Sequence, residues 1–323
     1  MTVPFVVGQW VRGDRFYGRG PELAALLGER RVVWVVGTRR IGKTSLLRQA
    51  ELLAADPAAG RFPLFWDLQG VDDGAELRAS FQDALLDARD RLRALDLDVP
   101  EPGEDLPAAV ARLAGELCEC GRTLLLLADE AEDLVSLLGR EPRLAPALLD
   151  ALAGARVVLA SSIRLATLAG GVPEGARLLD ALGPPLFLGG LCPDEARALV
   201  RQGHLPGSAR PPFGGDTVAE ICARCGGHPF LLQLLAKRVL GLGEVPAACA
   251  SVAADPMVGY LFAADLALLA EGDRRVLRAL PRNGAAEVEP ERARRLESLG
   301  LVRRDAEGRP VAGNWFLDQW LRS

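Results

Sequence analysis

One short segment limits the folds open to this chain more than any other. The apolar, β-branched run RVVWVV (31–36) leads directly into GTRRIGKTS (37–45), and a stretch with helical spacing of leucines follows. The segment 37–45 matches the pattern G-x-x-x-x-G-K-[ST], in which glycines let a loop wrap around phosphate oxygens. A buried strand that feeds such a loop and then a helix predicts an α/β fold with a parallel sheet.

The loop predicts a binding site for ATP and Mg²⁺. Its main-chain N–H groups and the positive end of the following helix favour a bound phosphate. Lys43 is expected to reach the β- and γ-phosphates, and the hydroxyl of Thr44 to coordinate Mg²⁺. Only two of the 38 basic residues are lysines, so a lysine here indicates a position where arginine does not serve. The predicted loop contacts are Gly37, Thr38, Arg39, Arg40, Ile41, Gly42, Lys43, Thr44 and Ser45.

An acidic motif further along the chain extends this prediction. The run LLLLADE (124–130) has the pattern of a hydrophobic strand that ends in Asp129 and Glu130. Asp129 is expected to hold Mg²⁺, and Glu130 to act as the base that orients the attacking water. The acidic first turn of an ordinary helix is the alternative interpretation of the pair. Because the chain has no N-K-x-D motif for guanine, adenine is the predicted base.

Polar residues also follow the next predicted strand, RVVLA (156–160). Ser162, or its neighbour Ser161, stands where a side chain can sense the γ-phosphate, and a helix cap is the alternative. Arg164 is a candidate catalytic arginine for this chain's own site or for that of a neighbouring subunit; an ordinary surface arginine is the alternative. These residues extend the candidate site beyond the two motifs.

The order of predicted elements divides the chain into three parts. Strand patterns that alternate with helical patterns predict a three-layer sandwich of the P-loop NTPase type over residues 1–189. Residues 190–262 have helical patterns up to about residue 242 and then a connector, which predicts a helical lid domain. Residues 263–323 have two helical patterns and a β-hairpin pattern, which predict a winged-helix-like domain. The five strand patterns lie at 31–36, 62–68, 123–128, 156–160 and 185–188.

The charge and hydropathy of the chain indicate which partners and which cellular compartment we expect. The net charge of −5 argues against a nucleic-acid binder that uses the whole chain. Residues 263–323 contain 11 arginines and 10 acidic residues, so protein contact is favoured there over DNA binding. No apolar run approaches the roughly 20 residues of a membrane-spanning helix, and the N-terminus lacks the pattern of a secretory leader. We therefore expect a cytoplasmic protein with no membrane partner.

Several motifs together resemble those of STAND-type ATPases, which are signal-transduction relatives of AAA+ proteins close to a group of archaeal and bacterial ATPases. The resemblance lies in RFYGRGPELAALL (15–27), the loop GTRRIGKTS and the segment LADEAEDL (127–134). In that family the first of these boxes helps to hold the nucleotide base. The resemblance thus implies a set of residues on the adenine side, namely Phe16, Tyr17, Gly18 and Arg19.

A further element of the resemblance lies in the predicted lid. The segment GGHPFLLQLL (226–235) is similar to the G-x-P element of STAND lids, which lies near the nucleotide and reports its state. The resemblance implies that His228 and Pro229 contact the nucleotide. A glycine helix stop followed by a proline at the next helix start is the alternative.

Three hypotheses for function follow. The first is an ATP-hydrolysing regulatory switch in bacterial signalling or defence, which acts through a conformational change and through a protein partner or self-assembly. The second is a DNA-associated AAA+ ATPase, of the initiator or transposition-helper type, whose winged helix binds the duplex. The third is a scaffold that holds ATP or ADP without hydrolysis.

Overall fold

The sheet predicted from the alternating pattern is present in the structure. A computed structural model describes residues 4–99, 103–165, 182–283 and 289–323. The strands of the sheet are β1 (Val32–Gly37), β2 (Arg61–Asp67), β3 (Thr123–Asp129), β4 (Arg156–Ser161) and β5 (Leu186–Leu188). They lie in the order β2-β3-β4-β1-β5, and the pairs β1–β4, β2–β3 and β3–β4 are parallel. The prediction of an α/β fold of the P-loop NTPase type is confirmed.

Helices cover the sheet and bury its central strands. They are α1 (Gly20–Leu27), α2 (Lys43–Ala54), α3 (Gly74–Asp87), α4 (Arg89–Arg93), α5 (Leu106–Glu119), α6 (Ala131–Arg140) and α7 (Ala145–Leu152). Contacts of α2, α3, α5 and α6 with the strands leave every residue of β3 from Leu124 onwards buried. This burial explains why β3 has a continuous apolar sequence rather than an alternating one.

The chain after β5 is mainly helical. Its helices are α8 (Pro193–Arg201), α9 (Gly215–Cys225), α10 (Pro229–Leu242), α11 (Val245–Ala253), α12 (Pro256–Leu268), α13 (Glu271–Asn283), α14 (Pro290–Ser298) and α15 (Trp315–Arg322). The expected order of helix, helix and hairpin near the C-terminus is present, because β6 (Val302–Arg304) and β7 (Pro310–Ala312) form an antiparallel pair after α14. The assignment of this region as a winged helix remains a prediction.

The region predicted as a connector, near residues 243–262, contains α11 and the first part of α12. Each of these helices has a proline in its first turn, where the missing N–H costs no hydrogen bond. The side chain of Asp255 caps α12 by accepting a hydrogen bond from the N–H of Met257. Both prolines therefore stand where a helix starts.

Contact density divides the chain into two compact units. The sheet unit contains Gly20–Val36 and Lys43–Leu186, and the helical unit contains Met1–Arg19, Gly37–Gly42 and Phe187–Ser323. The first six residues of the glycine-rich loop are thus grouped with the C-terminal helices, and the helical unit includes both of the regions predicted as separate C-terminal domains.

Main-chain contacts between glycines hold the helical unit together. Gly226 has a φ of +56°, and a β-carbon there would overlap the carbonyl oxygen of Gly313. A β-carbon at Gly190 would lie 2.8 Å from the carbonyl oxygen of Gly226. The hairpin end and the turn before α10 therefore pack backbone against backbone.

In the part of the chain that the structure describes, no single helix is long and apolar enough to cross a membrane, and only α11 and α12, bent by 57°, meet that test as a pair.

Candidate nucleotide-binding site

The glycine-rich loop joins the end of β1 to the start of α2, and its backbone conformation depends on glycine. Gly42 has a φ of +103°, a region that side chains rarely adopt. A β-carbon at Gly37 would lie 2.7 Å from the side chain of Ile41. These two positions are the glycines of the sequence pattern, so the loop has the local geometry that the pattern predicts.

Lys43, Thr44 and Asp129 lie together in the sheet unit. The hydroxyl of Thr44 donates a hydrogen bond of 2.6 Å to Oδ2 of Asp129, and Lys43 and Asp129 are both buried. Burial raises the pKa of Asp129, while the Thr44 hydrogen bond and the positive charge of Lys43 oppose that rise. The hydroxyl and the carboxylate are the hard oxygen ligands that suit Mg²⁺, so these residues fit a Mg²⁺ site.

Glu130 precedes α6 in an unusual backbone conformation. Its φ is +52°, a left-handed value that costs free energy in a residue with a side chain, and its N–H donates to Oδ1 of Asp129 at 3.1 Å. Strained residues of this kind cluster at functional sites. The side chain of Glu130 is half-buried, so a water molecule can approach it.

The polar residues after β4 have protein partners within the sheet unit. Ser161 accepts a hydrogen bond of 2.8 Å from the indole of Trp34. The hydroxyl of Ser162 accepts one of 3.2 Å from the N–H of Arg164, which matches the helix-cap alternative. The main-chain N–H of Ser162 donates to the buried carboxylate of Glu132 at 3.1 Å.

Glu132 and Arg164 also bear on the predicted site around the end of β4. Sequence reasoning missed Glu132, whose signal was one of two acidic residues in the first turn of α6. Arg164 is exposed, and its side chain forms no ion pair with another described residue. Its predicted catalytic role remains a prediction.

Within the helical unit, the loop contacts helices that lie far along the sequence. The main-chain N–H of Arg39 donates a hydrogen bond of 2.9 Å to Oδ1 of Asp265 on α12. The guanidinium of Arg40 lies 4.8 Å from the ring centroid of Phe230 on α10, and its Nη2 lies 3.4 Å from the sulfur of Met257. Asp265 was also missed in the sequence, where its signal was one acidic residue inside the apolar run LFAADLALL (261–269).

His228 and Pro229 lie at the start of α10, a position that both interpretations of this segment predict, and their contact with the nucleotide remains a prediction. His228 is only 9% exposed, and its Nδ1 has no hydrogen-bond partner among the described residues. Burial lowers the pKa of His228 to about 4, and a hydrogen bond with the main chain of Arg39 partly opposes this shift. The lowered pKa favours the neutral form of the His228 ring.

The predicted adenine-side residues of the N-terminal box, 16–19, also lie in the helical unit, and two of their side chains have protein partners. The guanidinium of Arg19 donates to the carbonyl of Gly189 at 2.6 Å and to that of Ile41 in the loop at 3.4 Å. The hydroxyl of Tyr17 contacts Nδ1 of His204, and burial raises the pKa of Tyr17 to about 12. Arg19 thus holds the loop backbone in this structure, which is a role that the resemblance did not imply.

The remaining residues of the box differ in exposure. Phe16 is half-buried, whereas Gly18 is exposed with a φ of +71°. The N–H of Arg19 donates to Oε1 of Glu195 on α8 at 2.8 Å. The predicted contact of the box with adenine remains a prediction.

Comparison with known proteins supports the fold. The chain matches no family model and no curated protein. Among solved structures it is similar to the Walker-type ATPase PABY2304 of Pyrococcus abyssi, with a TM-score of 0.68, 16% identity, and coverage of 99% of this chain and 100% of that one. The chain therefore has the fold of a P-loop ATPase.

Two further solved structures align over most of their length at lower TM-scores. One is the ORC2 protein of Aeropyrum pernix in ADPNP–ADP complexes, with a TM-score of 0.48, 15% identity, and coverage of 94% of both chains. The other is a RuvB variant of Thermotoga maritima, with a TM-score of 0.45, 15% identity, and coverage of 92% of both chains.

Proposed function

We propose that this protein binds ATP·Mg²⁺ at the loop 37–45, hydrolyses it, and acts as a regulatory switch. The observation that carries the proposal is the hydrogen bond of 2.6 Å between Thr44 and Asp129 beside the buried Lys43. A threonine and an aspartate from separate motifs meet where a P-loop ATPase needs its two Mg²⁺ ligands. We expect a cytoplasmic protein of bacterial signalling or defence, on the STAND resemblance alone.

Each residue of the site has a role in phosphoryl transfer. The bound Mg²⁺ neutralises charge on the phosphate oxygens. Lys43 adds a compact positive charge that stabilises the leaving phosphate oxygens, and the loop N–H groups orient the phosphates. Glu130 accepts a hydrogen bond from the attacking water and takes its proton as the water oxygen bonds to the γ-phosphorus. The bond from that phosphorus to the bridging oxygen breaks, and ADP and phosphate are the products. The backbone of Glu130 fixes the direction of its side chain relative to the adjoining Asp129.

The contacts of the loop with the helical unit support the switch. Arg39 is bonded to α12, Arg40 packs on Phe230 of α10, and Arg19 bonds the loop carbonyl of Ile41. A nucleotide that moves or orders the loop changes the free energy of these contacts, and so favours one arrangement of the helices. A protein partner or another copy of the chain then recognises the changed arrangement of the helices.

Ion pairs within residues 263–323 favour contact of this region with a protein over binding to DNA. The buried carboxylate of Asp273 pairs with both Arg292 and Arg295 on α14, and Arg304 pairs with Glu297 at 2.9 Å. Arginines that are already neutralised within the protein contribute less to phosphate binding along DNA. Steep salt-dependent binding of duplex DNA that is lost when Arg294 and Arg303 are changed to alanine would favour the DNA hypothesis.

The experiment compares the wild type with Glu130→Gln. ATP hydrolysis and light-scattering mass are measured with ATP and with ADP. We expect turnover that the substitution removes, and a mass or shape that differs between nucleotides and stays in the ATP form in the variant. Equal behaviour of the two proteins, with ATP bound but not hydrolysed, would favour the scaffold hypothesis.

A further inference from the structure

A buried carboxylate of the helical unit occupies one of the N–H groups of the phosphate-binding loop. Asp265 is 3% exposed, lies on α12, and accepts the hydrogen bond from the N–H of Arg39 at 2.9 Å. Arg39 is the third residue of the pattern that begins at Gly37. The carboxylate therefore lies against a part of the backbone that precedes Lys43 by four residues.

Neighbouring contacts hold the loop and α12 in this arrangement. Met257, two turns before Asp265 on the same helix, contacts the guanidinium of Arg40. The main chain of Arg39 also lies close enough to His228, at the start of α10, to affect the pKa of that ring. The hydrogen bond to Asp265 therefore belongs to a packed contact rather than to an exposed side chain.

The charge of Asp265 matters for nucleotide choice. Main-chain N–H groups of such a loop are the groups that bind phosphate oxygens, and a carboxylate satisfies one of them in the same way. A buried negative charge beside the loop also repels bound phosphates, and does so more strongly in a buried site than in water. ATP carries one more negatively charged phosphate group than ADP, so the repulsion acts more strongly against ATP.

We propose that Asp265 is a nucleotide-discriminating residue, which lowers the affinity of the loop for ATP relative to ADP by holding a carboxylate on the Arg39 N–H. The inference rests on the proposed function, since it requires that the loop binds nucleotide. On this proposal, α12 supplies the contact that opposes the ATP-bound state. ATP binding has to break this contact or contribute more free energy than the contact does.

The test measures the dissociation constants of a non-hydrolysable ATP analogue and of ADP by calorimetry, with Mg²⁺ present. Asp265→Asn keeps the size of the side chain and an acceptor oxygen but removes the charge. We expect a gain of about tenfold in affinity for the ATP analogue relative to ADP, which corresponds to about 1.4 kcal/mol. Asp265→Ala should shift the ratio in the same direction, because it also removes the charge.

A matched control lies on the same helix. Asp255→Asn also removes an acidic charge from α12, at its N-cap, where asparagine is equally suitable and the partners are Met257 and Arg238. This variant should leave the ratio of affinities unchanged. Thermal unfolding of each variant establishes that it is folded, and Asp265→Ala replaces Asp265→Asn if the latter does not fold.

The outcomes separate this inference from the proposed function. An unchanged ratio in folded Asp265 variants that still bind both nucleotides would overturn the inference and leave the proposed function intact. Equal weakening of both nucleotides would also overturn it, since Asp265 would then only support the loop. Failure of the wild type to bind either nucleotide would overturn both.

Discussion

The hydroxyl of Thr44 and the carboxylate of Asp129 are joined by a hydrogen bond of 2.6 Å, although 85 positions separate them in the sequence. Thr44 lies in the first turn of α2, and Asp129 is the last residue of β3. The fold brings the two together because a parallel sheet places the carboxyl ends of its strands along one edge. The contact is therefore a consequence of the sheet order, and it links the two motifs found in the sequence.

Replacement of Lys43 by arginine tests the role of the loop lysine. Arginine keeps the charge but is planar and larger than an ammonium group. Because Lys43 is buried in a tight loop, we expect Lys43→Arg to weaken ATP binding by at least about tenfold, or about 1.4 kcal/mol. Lys237→Arg is the matched control, since Lys237 is the other lysine and is exposed on α10. Equal affinity of the two variants for ATP would show that Lys43 does not have the predicted role.

The lowered pKa of His228 predicts a loss of stability in acid. Its pKa is about 4 in the folded protein and about 6.5 when unfolded. Between these values the unfolded state binds more protons, so stability falls as the pH falls and this loss is complete below about pH 4. We expect His228 to account for a decrease of about 2 kcal/mol in the free energy of unfolding between pH 7 and pH 5.

Urea unfolding of His228→Gln at the two pH values measures this contribution. The pH dependence of stability should decrease in the variant by the same amount. His204→Gln is the control, because His204 is the other histidine and is exposed. The same pH dependence in wild type and His228→Gln would mean that the ring is hydrated or protonated in the folded protein.

Two glycines have similar backbone conformations, so alanine substitutions at them distinguish the cost of close packing from the cost of backbone strain. Gly226 and Gly243 both follow a helix with a positive φ, of 56° and 83°, but only Gly226 faces another main chain. Gly243→Ala should cost about 1 kcal/mol for its left-handed backbone. Gly226→Ala should cost several kcal/mol, about 3 or more, because its β-carbon also displaces Gly313. Chemical denaturation gives both values, and equal losses would show that the Gly226 contact can relax.

Much of the sheet could be predicted from the sequence. The five apolar runs match the strands to within one or two residues, because buried parallel strands have continuous apolar sequences. The glycines at 37 and 42 were informative because their spacing and the Lys-Thr pair are fixed by phosphate geometry. These signals are local, so a single sequence is enough to reveal them.

Contacts between distant segments could not be predicted in this way. Arg39 and Asp265 are 226 positions apart, and neither the hydrogen bond nor the helix that supplies Asp265 has a local pattern. Helices α11 and α12 were not predicted either, because a proline is compatible with both the end and the start of a helix. The role of Arg19 depends on where the carbonyls of Ile41 and Gly189 meet, which only the fold determines.

We propose that Thr44 and Asp129 hold Mg²⁺ for a bound nucleotide. The most direct measurement is the dissociation constant of a non-hydrolysable ATP analogue, with and without Mg²⁺, for the wild type, Asp129→Asn and the control Asp133→Asn. Asp133 lies on α6, and its carboxylate accepts the Gly70 N–H at 2.8 Å. We expect Mg²⁺ to strengthen binding in the wild type and in the control, and Asp129→Asn to reduce this effect by at least about tenfold. An equal effect of Mg²⁺ in all three proteins would contradict the account.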